Sequence, residues 1–336
     1  MRAALMERGR IWVDEVPDPT PAEGEVVLKS VACGICGSDL HAAKHTQEFV
    51  ATSLEAGGAF KLTTLDPVVL GHEFCAEVLE SHGDLKAGDR VCSRPMLGRE
   101  PSLPVGWSRD IPGGFAEYLL LSDRLLVPVP RGTASEHAAL TEPMAVGLHA
   151  INMARLDGDE ALIVIGGGPV GLAITANLKA RGVGPVVVSE LSPRRRALSL
   201  AVGADMVVDP RESSPYQVSD VRRRDHVVVF ECVGVPGMID DIFLQAPHAA
   251  RIVVVGVCLQ MDHARPLIAV NKELNVQYVL GYSAAEFRDT LRHIADGTLN
   301  VEPMVTHTVA LDGVAQAFSD LQRPDAHGKV VVAPWR

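Results

Sequence analysis

No run of 18 apolar residues interrupts the 336-residue chain, so no helix of membrane-spanning length is expected. Nor does the start of the sequence combine a basic segment, a short apolar stretch and a small-residue cleavage site, so a secretory signal is not expected and the cytoplasm is the default compartment. Cysteine is scarce: six residues in a chain this long make a disulfide framework a poor account of its stability. A surplus of base is also missing, since 31 Lys and Arg face 42 Asp and Glu, for a formal charge of -11. Long-range repulsion then opposes general affinity for nucleic acid or an anionic membrane, although a local basic pocket stays open.

What is present suits an ordinary globular protein, 47% apolar and 22% charged, with length enough for two domains. Up to about Val129, short β-branched runs at 25–31, 68–70, 73–79, 89–92 and 115–121 are separated by Pro, Gly and Asp, which predicts a β-rich, barrel-like domain. A helix is expected to begin near Ser135, capped by its hydroxyl, and to run through 138–154. From Ala161 strand and helix alternate, with strands at 161–165, 185–188, 206–208, 226–232, 250–255 and 275–279. That rhythm requires parallel strands with crossover helices, a doubly wound sheet. The tail holds a helix at 312–321 and a strand at 329–333, and is expected to return to the first domain.

The stretch LIVIGGGPVGL at 162–172 carries the most information. A buried strand runs into Gly166, Gly168 and Gly171, the spacing of a dinucleotide-binding turn, with Pro169 and Val170 opening the next helix. The first glycine permits the bend, the second lets a pyrophosphate approach, and the third lets helix and strand touch. Glu190 ends the following strand, where a carboxylate can accept the adenosine ribose hydroxyls and repel a 2′-phosphate, so NAD is preferred to NADP. Arg194, Arg195 and Arg196 stand behind it, chiefly as a solvated helix face, although Arg195 is counted with the cofactor. Cys232, Val233, Val255 and Gly256, at the ends of two later strands, complete the expected cofactor set.

Cys36 in CGICGSDLH, His72 in VLGHEF and Glu142 in LTEPMAVGLHA offer the thiolate, imidazole and carboxylate that a zinc ion accepts, one position staying open. They are far apart in sequence, so spacing alone leaves open a buried small side chain, a turn histidine and a helix-terminal carboxylate. The Cys33–Cys36 pair follows a strand rather than opening a clear amphipathic helix, which disfavours a redox dithiol.

Across nearly its whole length the sequence resembles the medium-chain, zinc-dependent alcohol dehydrogenase family, in particular its sorbitol, threonine and butanediol dehydrogenase-like branches. The matching landmarks are CGICGSDLH at 33–41, GHE at 71–73, GDRV at 88–91, GGFAEY at 113–118, EP at 142–143, GGGPVG at 166–171 and ECVG at 231–234. The resemblance implies an α/β fold in which a Rossmann domain (151–290) is inserted in a β-rich GroES-like catalytic domain (1–150 and 291–336). It implies Cys36 and His72 as ligands of one catalytic zinc, with Glu73 or Glu142 completing the shell or holding its water. It implies Ser38 beside the substrate oxygen and His41 in a proton path to solvent. Many relatives carry a second, structural zinc in a four-cysteine lobe; here the stretch after position 91 has Cys92 alone, so one zinc per subunit is expected.

The implied chemistry is reversible oxidation of an alcohol, the hydride passing to the nicotinamide while reacting atoms are held in line. A secondary alcohol or diol is favoured, since Phe49, Leu54, Phe60 and Leu62 of a long 43–66 segment could wall an apolar pocket with Trp107. A polyol, a 3-hydroxy amino acid, or a zinc-independent quinone or enoyl reduction are the alternatives. An apolar strand at 275–280, near the sheet edge, predicts a homodimer or homotetramer.

Overall fold

A computed structural model describes residues 1–57, 62, 64–99, 102–323 and 325–336. Its chain divides into two units, one of Met1–Glu142, Phe287–Asp296 and Val305–Arg336, the other of Pro143–Glu286 and Gly297–Met304.

In the second unit, strand Ala161–Ile165 lies third in a six-stranded parallel sheet. Val186–Ser189 and Met206–Val208 continue the sheet on one side. Val227–Glu231, Arg251–Val254 and the edge strand Asn275–Tyr278 continue it on the other. Successive side chains enter opposite cores: Leu162, Val164, Val186, Val188, Val228 and Phe230 pack on one face, and Ala161, Ile163, Val187, Val227 and Val229 on the other. Both faces are covered by apolar side chains, which is why these strands read as unbroken apolar runs rather than as alternating patterns.

The first unit is organised around the long strand Glu25–Gly34, which pairs antiparallel with Glu73–Val78, Tyr118–Ser122 and Lys329–Val332. Arg90–Ser93 and Leu126–Pro128 extend this sheet at one edge and Val305–Val309 at the other. The last strand of the chain thus completes a sheet begun by the first hundred residues. A smaller sheet joins Arg10–Glu15, Arg2–Glu7 and Val68–Val69.

Several local expectations change. Ser135 does not cap its helix: it is the first residue of Ser135–Ala139, Ala134 takes the cap position, and the Ser135 hydroxyl accepts from Arg90 Nη1 at 3.0 Å. A second helix, Thr141–Ala154, follows at once. The segment after Cys36 does open a helix, Gly37–Lys44, followed by Thr46–Ala56. The first of these buries Ser38, Asp39 and Ala42 rather than an apolar stripe, so it has no amphipathic signature in the sequence.

Candidate metal and nucleotide sites

Strand Glu25–Gly34 delivers the chain to Cys36, which stands at the N-cap of Gly37–Lys44. There Asp39 folds back so that its Oδ2 accepts from the Cys36 amide at 2.9 Å, while the thiol faces the Asp39 amide in a reciprocal capping box. Glu73 opens the paired strand, with Gly34 opposite it in the ladder, and His72 immediately precedes it. A Cβ on Gly34 would lie within 2.0 Å of Glu73 Oε2, so only glycine leaves room for the carboxylate to turn into the site. The result is a cluster in which ligand atoms of Cys36, His72 and Glu73 all lie within 4.8 Å of one another.

The cluster is largely dry, His72 being 4% and Glu73 0% exposed. His72 Nε2 lies 3.4 Å from Ser38 Oγ, and Nδ1 lies 3.3 Å from Asp39 Oδ1. That second approach is an ion-pair contact rather than a hydrogen bond, and neither buried atom has a hydrogen-bond partner. Burial disfavours the imidazolium, but Asp39 and Cys36 outweigh it and raise the His72 pKa well above its ordinary value. Three anionic or soft donors gathered in a water-poor site, with a histidine drawn toward positive charge, fit a divalent cation of the zinc type. Asp39 would then orient the ring from its Nδ1 side. Of the carboxylates named from the sequence, Glu73 joins the cluster; Glu142, half-buried in the first turn of Thr141–Ala154, is not among its members.

Two further residues bear on the cluster, Lys329, which the motifs did not single out, and Trp107, expected only as part of an apolar wall. Lys329 opens the final strand, 1% exposed, and its Nζ donates to both Glu73 oxygens at 2.7 and 2.8 Å and to the Ile35 carbonyl at 3.1 Å. Burial alone would strip its proton; Glu73 and then Cys36 hold it on, so its pKa is raised. A lone lysine at the head of a valine strand was the available signal. Trp107, 2% exposed, has its ring 5.2 Å from that of His72 and stacks on Phe49 at 5.5 Å and 5°. Of the other side chains expected in an apolar wall, Leu62 is buried, Leu54 is 65% exposed and turned away to solvent, and Phe60 lies outside the described residues. His41 is half-buried, its ring 6.4 Å from that of His45. Burial first, then the His45 and Lys44 charges, lower its pKa.

In the second unit the glycine turn has the geometry its spacing implies. Gly166 has φ +99°, which favours glycine, and a Cβ on Gly171 would stand 1.9 Å from the Gly166 carbonyl oxygen, so helix Pro169–Ala180 meets the strand end directly. Beside Gly168 the nearest atom to an added Cβ is Arg195 Nη1 at 3.9 Å, leaving open space for a phosphate. Pro169 takes the first helical turn and Val170 follows it, half-buried. Glu190 is 8% exposed, and its Oε2 accepts from the Gly167 amide at 2.7 Å while Oε1 accepts from Ser192 at 2.8 Å. It therefore braces the glycine turn. Arg195 Nε is buried without a partner, whereas Arg196 donates to the Glu190 and Leu191 carbonyls and to Asp209. Cys232 and Val233 follow strand Val227–Glu231, and Val255 and Gly256 follow Arg251–Val254, on the other side of the turn from Glu190.

These two sites, an N-terminal β-rich unit with a Cys–His–Glu cluster and a glycine-turn parallel sheet, define a metal- and nucleotide-dependent dehydrogenase class. Residues 22–131 match the alcohol dehydrogenase GroES-like domain and 169–296 the zinc-binding dehydrogenase family. This chain belongs to the medium-chain, zinc-binding alcohol dehydrogenase family. It is 30% identical to the (R,R)-butanediol dehydrogenase of Neisseria gonorrhoeae, covering 99% of each chain. It is 29% identical to the solved 2R,3R-butanediol dehydrogenase of Bacillus subtilis, with a TM-score of 0.82 over 99% of each. A candidate zinc-binding dehydrogenase of Sinorhizobium meliloti, solved bound to NADP, is 27% identical with a TM-score of 0.84 over 99% of each. The chain thus has the NAD(P)-binding dehydrogenase fold, with its metal-ligand cluster intact.

Proposed function

We propose that the chain reversibly oxidises a secondary alcohol or diol to the ketone, with NAD preferred over NADP. The observation that carries this reading is the buried Cys36, His72 and Glu73 cluster with the Ser38 hydroxyl beside His72. Zinc, when bound, would supply Lewis-acid polarisation of the substrate oxygen, and a bound nicotinamide would supply the hydride acceptor. Cys36, His72 and Glu73 hold that ion, with Glu142 as the reserve carboxylate. Ser38, 6% exposed, takes the hydroxyl proton, and His41, kept neutral by its lowered pKa, relays it toward solvent. The Phe49–Trp107 stack supports an apolar flank beside the reacting carbon, and the butanediol relatives support a diol. Residues 1–150 and 291–336 serve as the catalytic domain and 151–290 as the nucleotide domain.

Metal analysis and a substrate panel test this reading together. Purified protein is expected to hold about one zinc per chain, and secondary alcohols or diols to outpace polyols and 3-hydroxy amino acids with NAD. Full turnover by metal-free protein would refute it.

No described helix is long and apolar enough to cross a membrane; the cytoplasm belongs to the same reading. So does a homodimer or homotetramer. Asn275–Tyr278 is an edge strand, Tyr278 is 66% exposed and Leu280 is 65% exposed, an edge that pairing with a second copy would cover. Light scattering that finds only a 35.9 kDa monomer would overturn the assembly.

A further inference from the structure

Glu231 ends strand Val227–Glu231 and is 1% exposed, yet neither the metal cluster nor the glycine turn uses it. Its Oε1 accepts from the Val233 amide at 2.7 Å and the Gly234 amide at 2.8 Å. Its carbonyl accepts from the amides of Val255 and Gly256, each at 2.9 Å. The carboxylate also meets Gly256, where a Cβ would lie 2.5 Å from Oε2, and Gly256 in turn abuts Gly234, whose nitrogen would be 2.4 Å from that Cβ. One residue therefore ties the two loops together, its carboxylate holding 233–234 and packing against Gly256 while its carbonyl holds 255–256. The first of these loops leans on the glycine turn, since a Cβ on Gly166 would touch Val233 Cγ2 at 2.9 Å.

This arrangement is an expensive way to build a loop. A buried carboxylate without a cation is destabilising, and the charged neighbour that bears on Glu231 is Asp262, of like sign. Burial pushes its carboxyl above the ordinary range against the pull of the Gly234, Val233 and Gly256 amides. The position of the two loops suggests what the carboxylate is for. A dinucleotide lies across the ends of parallel strands, one half on each side of the glycine turn. Glu190 marks the adenosine side, so the ends of Val227–Glu231 and Arg251–Val254 face the other half.

We propose that Glu231 is a positioning residue for the nicotinamide half of the cofactor, fixing the backbone at 232–234 and 255–256 against which that half rests. The inference rests on the nucleotide reading above and assigns Glu231 no contact with the reacting atoms.

The test compares wild type with Glu231→Ala and Glu231→Gln, measuring NADH binding by nucleotide fluorescence and ADP binding as an inhibition constant. ADP reports the adenosine half alone. Glu231→Ala is expected to weaken NADH binding about tenfold, the scale of losing charge-assisted hydrogen bonds, with ADP binding unchanged. Glu231→Gln retains one acceptor for Val233 and Gly234 but turns an N–H toward Gly256, so it should show a smaller loss of the same pattern. It carries the test if the alanine chain does not fold. Equal weakening of NADH and ADP would mark a merely structural residue and overturn the proposal, as would unchanged NADH binding. Wild-type protein that binds neither nucleotide would instead remove the cofactor reading, and this inference with it.

Discussion

Replacing Lys329 by Met probes how the Cys36, His72 and Glu73 cluster is held together without replacing any of its three members. The Lys329 ammonium has three donors and finds three acceptors, two on Glu73 and one on Ile35. Its side chain is 1% exposed and that of Glu73 0%. Methionine matches the stem of lysine but leaves the Glu73 charge buried and unpaired, a change worth about 3–5 kcal/mol. At roughly 2–4 °C per kcal/mol for a unit of this size, the metal-free protein should melt on the order of 10 °C lower. A cation held by Cys36, His72 and Glu73 substitutes for part of the lost charge, so the zinc-loaded variant should lose much less. Differential scanning calorimetry with and without a chelator reads both values. Adding Glu73→Gln to Lys329→Met should recover stability in the metal-free form, because the orphaned charge is gone. Equal losses with and without metal, or no recovery in the double variant, would refute the assignment of Lys329 as the counter-charge of Glu73.

Ser38→Ala should keep its zinc and bind NAD but turn over roughly 10²-fold more slowly, the scale of a lost acid–base relay; wild-type rates at full metal content would remove Ser38 from the proton path. Glu190→Ser should raise the NADP-to-NAD efficiency ratio by roughly tenfold as one screened charge repulsion disappears. Both cofactors should bind less well, because the Gly167 amide also loses its acceptor; a fixed ratio in steady-state kinetics would sink the ribose assignment. The lowered pKa of His41 means that it stays neutral, and able to accept a proton, until the pH falls below the ordinary imidazole range. The acid limb of alcohol oxidation should therefore lie below about pH 6.5 and vanish in His41→Gln; an unaltered limb in that variant would place the titration elsewhere.

The parallel sheet could be read from the sequence because its determinants are local. Four apolar residues entering a glycine turn, and buried strands spaced by helices, specify Ala161–Ile165 and its neighbours without reference to anything distant. The N-terminal unit was less legible. Several of its short strands were recognisable, while Arg2–Glu7, Arg10–Glu15 and Val305–Val309 went unnamed, and its arrangement depends on distant contacts such as Lys329 to Glu73, 256 positions apart. The helix Gly37–Lys44 escaped because the residues it buries are Ser38, Asp39 and Ala42, a polar set chosen by the metal cluster rather than by an apolar face. Likewise, Cys36 and His72 were visible as ligand types, but that Glu73 rather than Glu142 lies close to both needed the ladder that sets Gly34 opposite Glu73.

Cys36 is both a member of the cluster that could hold a metal ion and the cap of the helix that carries Ser38 and His41. If Cys36 holds the ion, two equilibria are thereby joined, loading of the ion and winding of one short helix. On the proposed reading, removal of the ion is expected to leave that first turn held by the Asp39 capping box alone, weakening the proton path along with the electrophile. Reloading restores both together. Intermediate metal content should therefore yield a mixture of fully competent and fully silent molecules rather than a population of half-active ones, a built-in guard against a site that binds alcohol but cannot move its proton.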